Sequence, residues 1–314
     1  MPGIGPPSVR TPPTLRTVIA NPRAQGGRAV RLFAALQDAL PPGVQLHTPD
    51  SVPAALALLR GLPDGTRVVA VGGDGTLHRW LPALLERRHE LGVVPLGSGN
   101  DTARALGLRS GSPLPWLTHA LNGPASDMDT GLATWHDTLG ERRETPFLSS
   151  LSAGFDAAVV ARALTGPPHL RGLPRYLWAT LRELAALRTW HLDVTVDGVH
   201  RHEGPALFAA TLNTPTFGGG MPATPGARTH DGLLNLLVAG PFSRLGALGM
   251  LPRLLVGWHL GHPKIHTQAF EQMSVLGRGD LPVAADGEWL GLARSLTVAV
   301  RPASLRVVRA PSSG

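Results

Sequence analysis

Four acids in glycine-rich or turn-forming surroundings are best placed to do chemistry: Asp74, Asp101, Asp286 and Glu288. Asp74 lies in VVAVGGDGTLHRW, where an apolar run ends in Gly72, Gly73, Asp74, Gly75 and Thr76. Glycines between a strand and a helix let a phosphate approach the backbone, and the helix start supplies N–H donors and a favourable dipole. A carboxylate beside phosphate is repulsive unless a divalent cation lies between them or the acid orients other groups, so Asp74 points to a magnesium nucleotide. A tight strand-to-helix turn would use the same glycines. The segment PLGSGNDTARALGL has the same form, with Ser98, Asn100, Asp101 and Thr102 near a helix start, where Asn or Asp also serves as an ordinary cap. A third polar loop, ANPRAQGGR, carries Asn21, Pro22 and Gly26. Asp286 and Glu288 stand two apart. On an extended backbone both carboxylates share a face, where one raises the other's pKa towards a range useful for accepting a proton. The alternative is a plain Asp-Gly hairpin turn, as expected at Asp197-Gly198.

The elements that must position these residues alternate through the first part of the chain. LRTVIANP reads as a strand and RAVRLFAALQDAL as a helix, followed by VQLHT, VPAALALLRGL, TRVVAV, LHRWLPALLERR, LGVVPL and NDTARALGL as strand and helix in turn. Such alternation implies a parallel sheet with helices on both faces, and its glycine-rich loops then meet at the C-terminal strand edge, where such sheets bind ligands. Pro82 must lie in a first helical turn or cause a kink. From about residue 127 the runs become strand-like and are separated by Gly, Asn and Pro, as expected of an antiparallel sandwich or open barrel. One helical insert, PRYLWATLRELAALRTW, interrupts it.

A chain of 314 residues with 43% hydrophobic content has room for two domains, each with its own core. The formal charge of +7 is almost all arginine, since Lys264 is the only lysine, and such a surface suits phosphate or an anionic membrane. Zinc-finger spacing, basic aromatic-rich strands and blocks of consecutive basic residues are absent, so nucleic acid is not the expected partner. The absence of cysteine excludes disulfides, thiolate metal sites and cysteine nucleophiles. Residues 1–14 read as a proline-rich flexible tail without the apolar core of a signal peptide, so a cytoplasmic location is expected. The segment LGALGMLPRLLVGWHLG is interrupted by Pro252 and Arg253 before reaching the roughly 20 residues a membrane span needs.

At these motifs the sequence resembles the diacylglycerol kinase catalytic family, which includes bacterial lipid kinases and sphingosine and ceramide kinases. NPRAQGG is similar to its first nucleotide loop, GGDGT to its signature, PLGSGNDTARALG to the following loop and SAGFDAAVV to the start of its second domain. NTPTFGGGMPATPGARTHDGLLNLLV and ADGE continue the series. A GGDG-type loop alone is shared with phosphofructokinases and NAD kinases; the ordered series is specific. The resemblance implies an α/β chain with a Rossmann-like parallel-sheet nucleotide domain over 15–126 plus about 296–310, and an antiparallel β-sandwich lipid domain over 127–295. It implies ATP- and Mg²⁺-dependent phosphorylation of a lipid hydroxyl, such as that of diacylglycerol, in the cleft between them. Asn21, Pro22, Gly26, Thr48, Gly72 to Thr76, Ser98 and Asn100 would line the nucleotide site, and Asp74 and Asp101 would organise Mg²⁺ and water. Asp286 and Glu288 would be the catalytic acids, with Glu288 accepting the proton. A structural magnesium would take the Asp231 carboxylate and backbone oxygens of Arg228 and Leu233. Dimers occur in the family, so a homodimer is also implied. The alternatives are a kinase of a soluble acceptor such as NAD, and a catalytically idle nucleotide- or lipid-binding regulator.

Two departures stand out. Many members continue after GGDGT with Leu-Asn-Glu, whereas His78 and Arg79 occupy those last two places here, and Asn235 stands where the family usually has aspartate. The basic amphipathic stretch RYLWATLRELAALRTW could lie on an anionic bilayer with Arg171, Arg175 and Arg182 at its surface; core packing with a solvated arginine face is the alternative.

Overall fold

The computed structural model describes residues 15–22, 29–108, 111–170 and 172–311. The expected tail over 1–14, Gly26 and Arg171 lie outside them. In chain order the first part holds β1 (Arg16–Ala20), α1 (Ala29–Asp38), β2 (Gln45–His47), α2 (Val52–Gly61), β3 (Arg67–Gly72), α3 (Asp74–Glu86), β4 (Glu90–Pro95), α4 (Asp101–Ala105) and α5 (Pro113–Asn122). The four strands run parallel in the order β2, β1, β3, β4. All six residues of β3 are buried, because alternate side chains enter two different cores. Val68 and Ala70 meet Ala55 and Leu59 of α2 and Leu77, Leu81 and Leu84 of α3. Val69 and Val71 meet Leu36 of α1 and Leu117 and Leu121 of α5. Helices therefore cover both faces, as the alternating pattern predicts.

Pro82 is neither in a first turn nor at a helix start. Helix α3 begins at Asp74, inside the glycine-rich signature, which places Pro82 in its third turn. The helix α5 was not expected; its marks in the sequence are Ser112 at the N-cap and Pro113 in the first turn.

The second part holds β5 (Ala125–Asp137), β6 (Arg142–Phe147), β7 (Ser150–Gly154), α6 (Phe155–Leu164), α7 (Leu173–Ala185), β8 (Trp190–Val196), β9 (Val199–Ala206), β10 (Phe208–Leu212), β11 (Leu234–Ala239), α8 (Arg244–Leu255), β12 (Ile265–Phe270), β13 (Gln272–Ala285) and β14 (Glu288–Val308). A single 3₁₀ turn, Trp258–Gly261, follows α8. The strands pair antiparallel in the order β12, β11, β10, β7, β13, β14, with β9–β8 attached to β13 and β6–β5 to β14. Their shared core includes Phe147, Trp190, Phe270, Val275 and Leu296. The single expected helical insert is corrected: α6 and α8 join α7 among the described residues. Both were obscured because their apolar residues also fit strand or loop readings over short windows.

Strand β14 joins the two parts. It pairs antiparallel with β13 and β5, and then Arg306 and Val307 pair parallel with Glu90 and Leu91 of β4. Side chains reinforce this junction, as Glu90 accepts from Arg67 at 2.8 and 3.1 Å and from Arg306 Nε at 2.9 Å.

Candidate active site

The glycines of the signature are set by close backbone contact. Gly73 is the extended N-cap of α3 and has no side-chain capping bond. The first N–H groups of a helix have no partner within it, so this end presents donors. A Cβ on Gly73 would stand 2.7 Å from Gly97 Cα, so the loops after β3 and β4 lie backbone against backbone. A Cβ on Gly72 would stand 2.8 Å from the Thr76 side chain, and Asn21 Nδ2 donates to Thr76 Oγ1 at 2.8 Å. The loops after β1, β3 and β4 are thereby fastened into one strand edge. Pro22 is half-buried beside Asn21, while Thr48, one residue past β2, and Ser98 are exposed on that edge. Asn100 is turned inward on its own loop: its Oδ1 accepts from Gly97 N at 2.8 Å and its Nδ2 donates to Gly97 O at 2.7 Å. These two bonds shape the loop.

Asp74 and Asp101 sit at the two helix starts. Asp74 accepts from the N–H groups of Asp101 and Thr102, each at 3.1 Å. Burial, and then the Asp101 charge, nevertheless push Asp74 up to about 6, with a smaller contribution from Asp286. The Asp101 carboxylate reaches across to the second part of the chain, accepting from Thr216 Oγ1 at 3.0 Å and Gly219 N at 2.8 Å. Arg104 completes that seam by donating to Gly99 O at 2.9 Å and Gly219 O at 3.3 Å.

Asp286 does form an Asp-Gly turn, with φ of 49° at Asp286 and 79° at Gly287, between β13 and β14. The expectation of two carboxylates on one face of an extended strand is thus corrected, since the turn sends them to different places. Asp286 is buried. Its Oδ1 accepts from Ser149 N at 2.7 Å, Ser149 Oγ at 2.8 Å and Ser150 N at 3.1 Å. Its Oδ2 accepts from Leu148 N at 2.9 Å and meets His78 Nδ1 at 3.0 Å. Burial alone would raise this carboxyl, but His78 and the N–H donors outweigh it and hold Asp286 below the usual range. An ionised carboxylate only accepts, so His78 Nδ1 carries the hydrogen. Asp286 is therefore not the raised member of the expected pair, and the acid raised to about 6 is Asp74.

Glu288 is only half-buried. Its Oε2 accepts from Arg79 Nη2 at 2.8 Å, and its Oε1 stands where a Cβ on Gly75 would be. Arg79 and His78 thus each take one of the two acids on the β13–β14 turn. Tyr176 Oη donates to Gly287 O at 3.3 Å. Burial first, then Asp156, Glu288 and Asp74, push this phenol up to about 12, so it stays a donor. His78, Arg79, Thr216 and Tyr176 were not among the expected site residues. The replacement of Asn-Glu by His78 and Arg79 was the visible signal, but not its partners.

The third constellation stands apart. Asp231 is exposed and its Oδ1 accepts from Leu233 N at 3.1 Å; Arg228 is exposed on the same loop. The loop is held by buried Asp129, which accepts from Gly232 N at 2.8 Å and Ala303 N at 2.7 Å. Among the described residues, no group of three or more His, Cys, Asp and Glu is arranged to hold a metal ion.

Comparison with known proteins agrees with this architecture. The diacylglycerol kinase catalytic domain model matches residues 16–133, and the YegS C-terminal NAD kinase beta sandwich-like domain model matches residues 149–309. A diacylglycerol kinase of Mycobacterium tuberculosis is 30% identical over 93% of this chain and 94% of its own length. A protein of Pseudomonas fluorescens named "Probable lipid kinase YegS-like" is 32% identical over 77% of each chain. A crystal structure of a diacylglycerol kinase from Bacillus anthracis superposes with a TM-score of 0.68 at 16% identity, covering 96% of this chain and 98% of that one, a likeness of fold. With both family models matched in order and a relative aligned along nearly its whole length, the chain belongs to the diacylglycerol kinase catalytic family.

Proposed function

We propose that the protein transfers the γ-phosphoryl group of ATP to a hydroxyl of diacylglycerol or a related lipid, with Glu288 accepting the hydroxyl proton. The observation that carries this reading is the position of the Glu288 carboxylate over Gly75, at the donor-rich start of α3 and one residue from Asp74. Phosphoryl transfer asks a protein chiefly for positioning, charge neutralisation and a proton acceptor. The α3 start and the Gly73–Gly97 contact would hold the phosphates, while Asn21 and Thr76 keep the first loop in place. Asp286, with five partners, positions the turn that bears Glu288 and is not itself the proton acceptor. Asp101 and Arg104 would hold the glycine loop at Gly219 against the nucleotide side. On this reading the domain division falls near residue 126, with 296–310 returning to the nucleotide part, and the enzyme works where ATP is found, in the cytoplasm.

Magnesium fits Asp74. Its raised pKa marks a half-buried carboxyl that two N–H donors do not fully offset, and it offers a hard carboxylate oxygen. Such an ion would be held by one or two carboxylates with phosphates and water. A bound magnesium ion supplies charge neutralisation for the transferred phosphoryl group. A second ion at Asp231 with the carbonyls of Arg228 and Leu233 belongs to the same proposal, and Asn235 makes that loop less acidic. Incubation with labelled ATP, Mg²⁺ and a panel of lipids tests the proposal, with label expected in diacylglycerol or a related lipid. Label only in inorganic phosphate, with every lipid and NAD unmodified, overturns it.

A further inference from the structure

The β13–β14 turn is fixed at its backbone but not at the tip of Glu288. Asp286, at a φ of 49°, is bonded to Leu148, Ser149, Ser150 and His78. On the other side of the turn Gly287 O accepts from Tyr176 Oη. Glu288 therefore leaves the turn from a held main chain, yet its carboxylate stands at the end of several freely rotating side-chain bonds. Among the described residues, the hydrogen-bond partner of that carboxylate is Arg79, whose Nη2 donates to Oε2 at 2.8 Å.

The pair has a direction. Gly75 and Arg79 are four residues apart on α3, so they lie one turn apart on the same face of the helix. The Glu288 carboxylate bridges that turn: Oε2 is on Arg79, and Oε1 stands over Gly75 at the donor-rich helix start. The remaining charges nearby would push it away. Asp74 and Asp156 act on the Tyr176 phenol together with Glu288, so all three acids share one neighbourhood. His78, the preceding residue of α3, is already taken by Asp286. A glutamate at position 79, as many family members have, would set two carboxylates against each other where an ion pair now stands. With side chains 46% and 30% exposed, the pair contributes little to stability. Its effect is on where the carboxylate points.

We propose that Arg79 is a positioning residue for the proton acceptor: it holds Glu288 Oε2 so that Oε1 faces the start of α3, where hydroxyl and phosphoryl group meet. The role in the reaction rests on the lipid kinase reading. In that reaction the bond from the acceptor oxygen to the γ-phosphorus forms as the bond from phosphorus to the bridging oxygen breaks. The hydroxyl proton passes to Glu288 Oε1, and ADP leaves with the electron pair of the broken bond. Arg79 keeps its own protons throughout and acts only through Glu288.

The test is the kinetics of Arg79→Gln, Arg79→Lys and Glu288→Gln on the lipid that the wild type phosphorylates, with a crystal structure of Arg79→Gln. Arg79→Gln keeps the wild-type melting temperature and loses kcat by about tenfold, with KM for ATP within about twofold of wild type. Arg79→Lys, which keeps a cation in reach, returns kcat to within about threefold of wild type. In a Glu288→Gln background, Arg79→Gln lowers kcat by less than about twofold further, because the residue it acts through is already gone. In the crystal structure of Arg79→Gln the Glu288 carboxylate is turned away from Gly75. Wild-type kcat in Arg79→Gln overturns the proposal, and so does a raised KM with kcat intact, which would make Arg79 a binding group. A full tenfold loss in the Glu288→Gln background also overturns it, since Arg79 then acts on the phosphoryl group directly. An unmoved Glu288 in the crystal structure overturns it whatever the kinetics. A displaced Glu288 in a protein whose wild type phosphorylates no lipid supports the positioning by Arg79 and overturns the kinase reading instead.

Discussion

Asp74 is half-buried and Asp286 buried, and their surroundings move the two carboxyls in opposite directions. Between its ordinary value of 3.8 and about 6, folded Asp74 holds more protons than the unfolded chain, so it disfavours the folded state as pH rises through about 6. Without divalent cations, the stability of Asp74→Asn relative to wild type is therefore expected to grow by roughly 1 kcal/mol from pH 5 to pH 8, read from urea denaturation at each pH. Asp286 has the reverse sign: its contribution is present above the unfolded value and is lost as pH falls through its depressed one. Asp286→Ala leaves its partners on residues 148–150 and His78 without an acceptor and is expected to cost about 3 kcal/mol in urea denaturation. Glu288→Gln is expected to cost under about 1 kcal/mol, because its pair with Arg79 is solvent-exposed. It should lower kcat by about 10² to 10⁴. One acid thus supports the turn and the other acts from it, a separation that stability and kcat measured on the same two variants will show.

At the scale of elements, α3 is the organising piece. Asp74 and Gly75 open it, and His78 and Arg79 lie one turn further on, so a single rigid helix sets the phosphate end and both partners of the β13–β14 turn. Two glycine substitutions separate its tasks. Gly73→Ala drives a Cβ into the Gly97 backbone and is expected to lower the melting temperature markedly, because neither loop can yield without moving a strand end. In Gly75→Ala the obstacle is the end of the Glu288 side chain, which can swing away. Stability should change by less than about 1 kcal/mol, since Ala is the better helix former. Moving Glu288 off its place should nevertheless lower kcat by about 100-fold. Equal activity in Gly75→Ala and wild type would remove Glu288 from the proposed chemistry.

Over the whole molecule, one continuous sheet carries both parts, and β14 is the strand common to them. Its junction with β4 depends on buried Glu90 between Arg67 and Arg306. Glu90→Ala leaves the buried Arg67 guanidinium without its acid and is expected to cost about 3 kcal/mol, measured by urea unfolding. The parallel and antiparallel parts, the glycine loops on one strand edge and the Asp197-Gly198 hairpin were legible in the sequence. Their signals are local: period-two and helical spacing, and turn residues within a few positions of each other. The start of α3 was misread because glycines suggested loop where the sheet edge and Gly97 hold them at a helix end. The pairing of His78 with Asp286 and of Arg79 with Glu288 spans 208 and 209 residues, and no periodicity or propensity reaches that far. The sequence by itself determined which acids stand in turns and glycine loops, because residue type and short spacing specify those conformations. Only the tertiary structure decided that Asp286 is buried and bonded while Glu288 faces the α3 start, because burial and partners come from the meeting of distant strands.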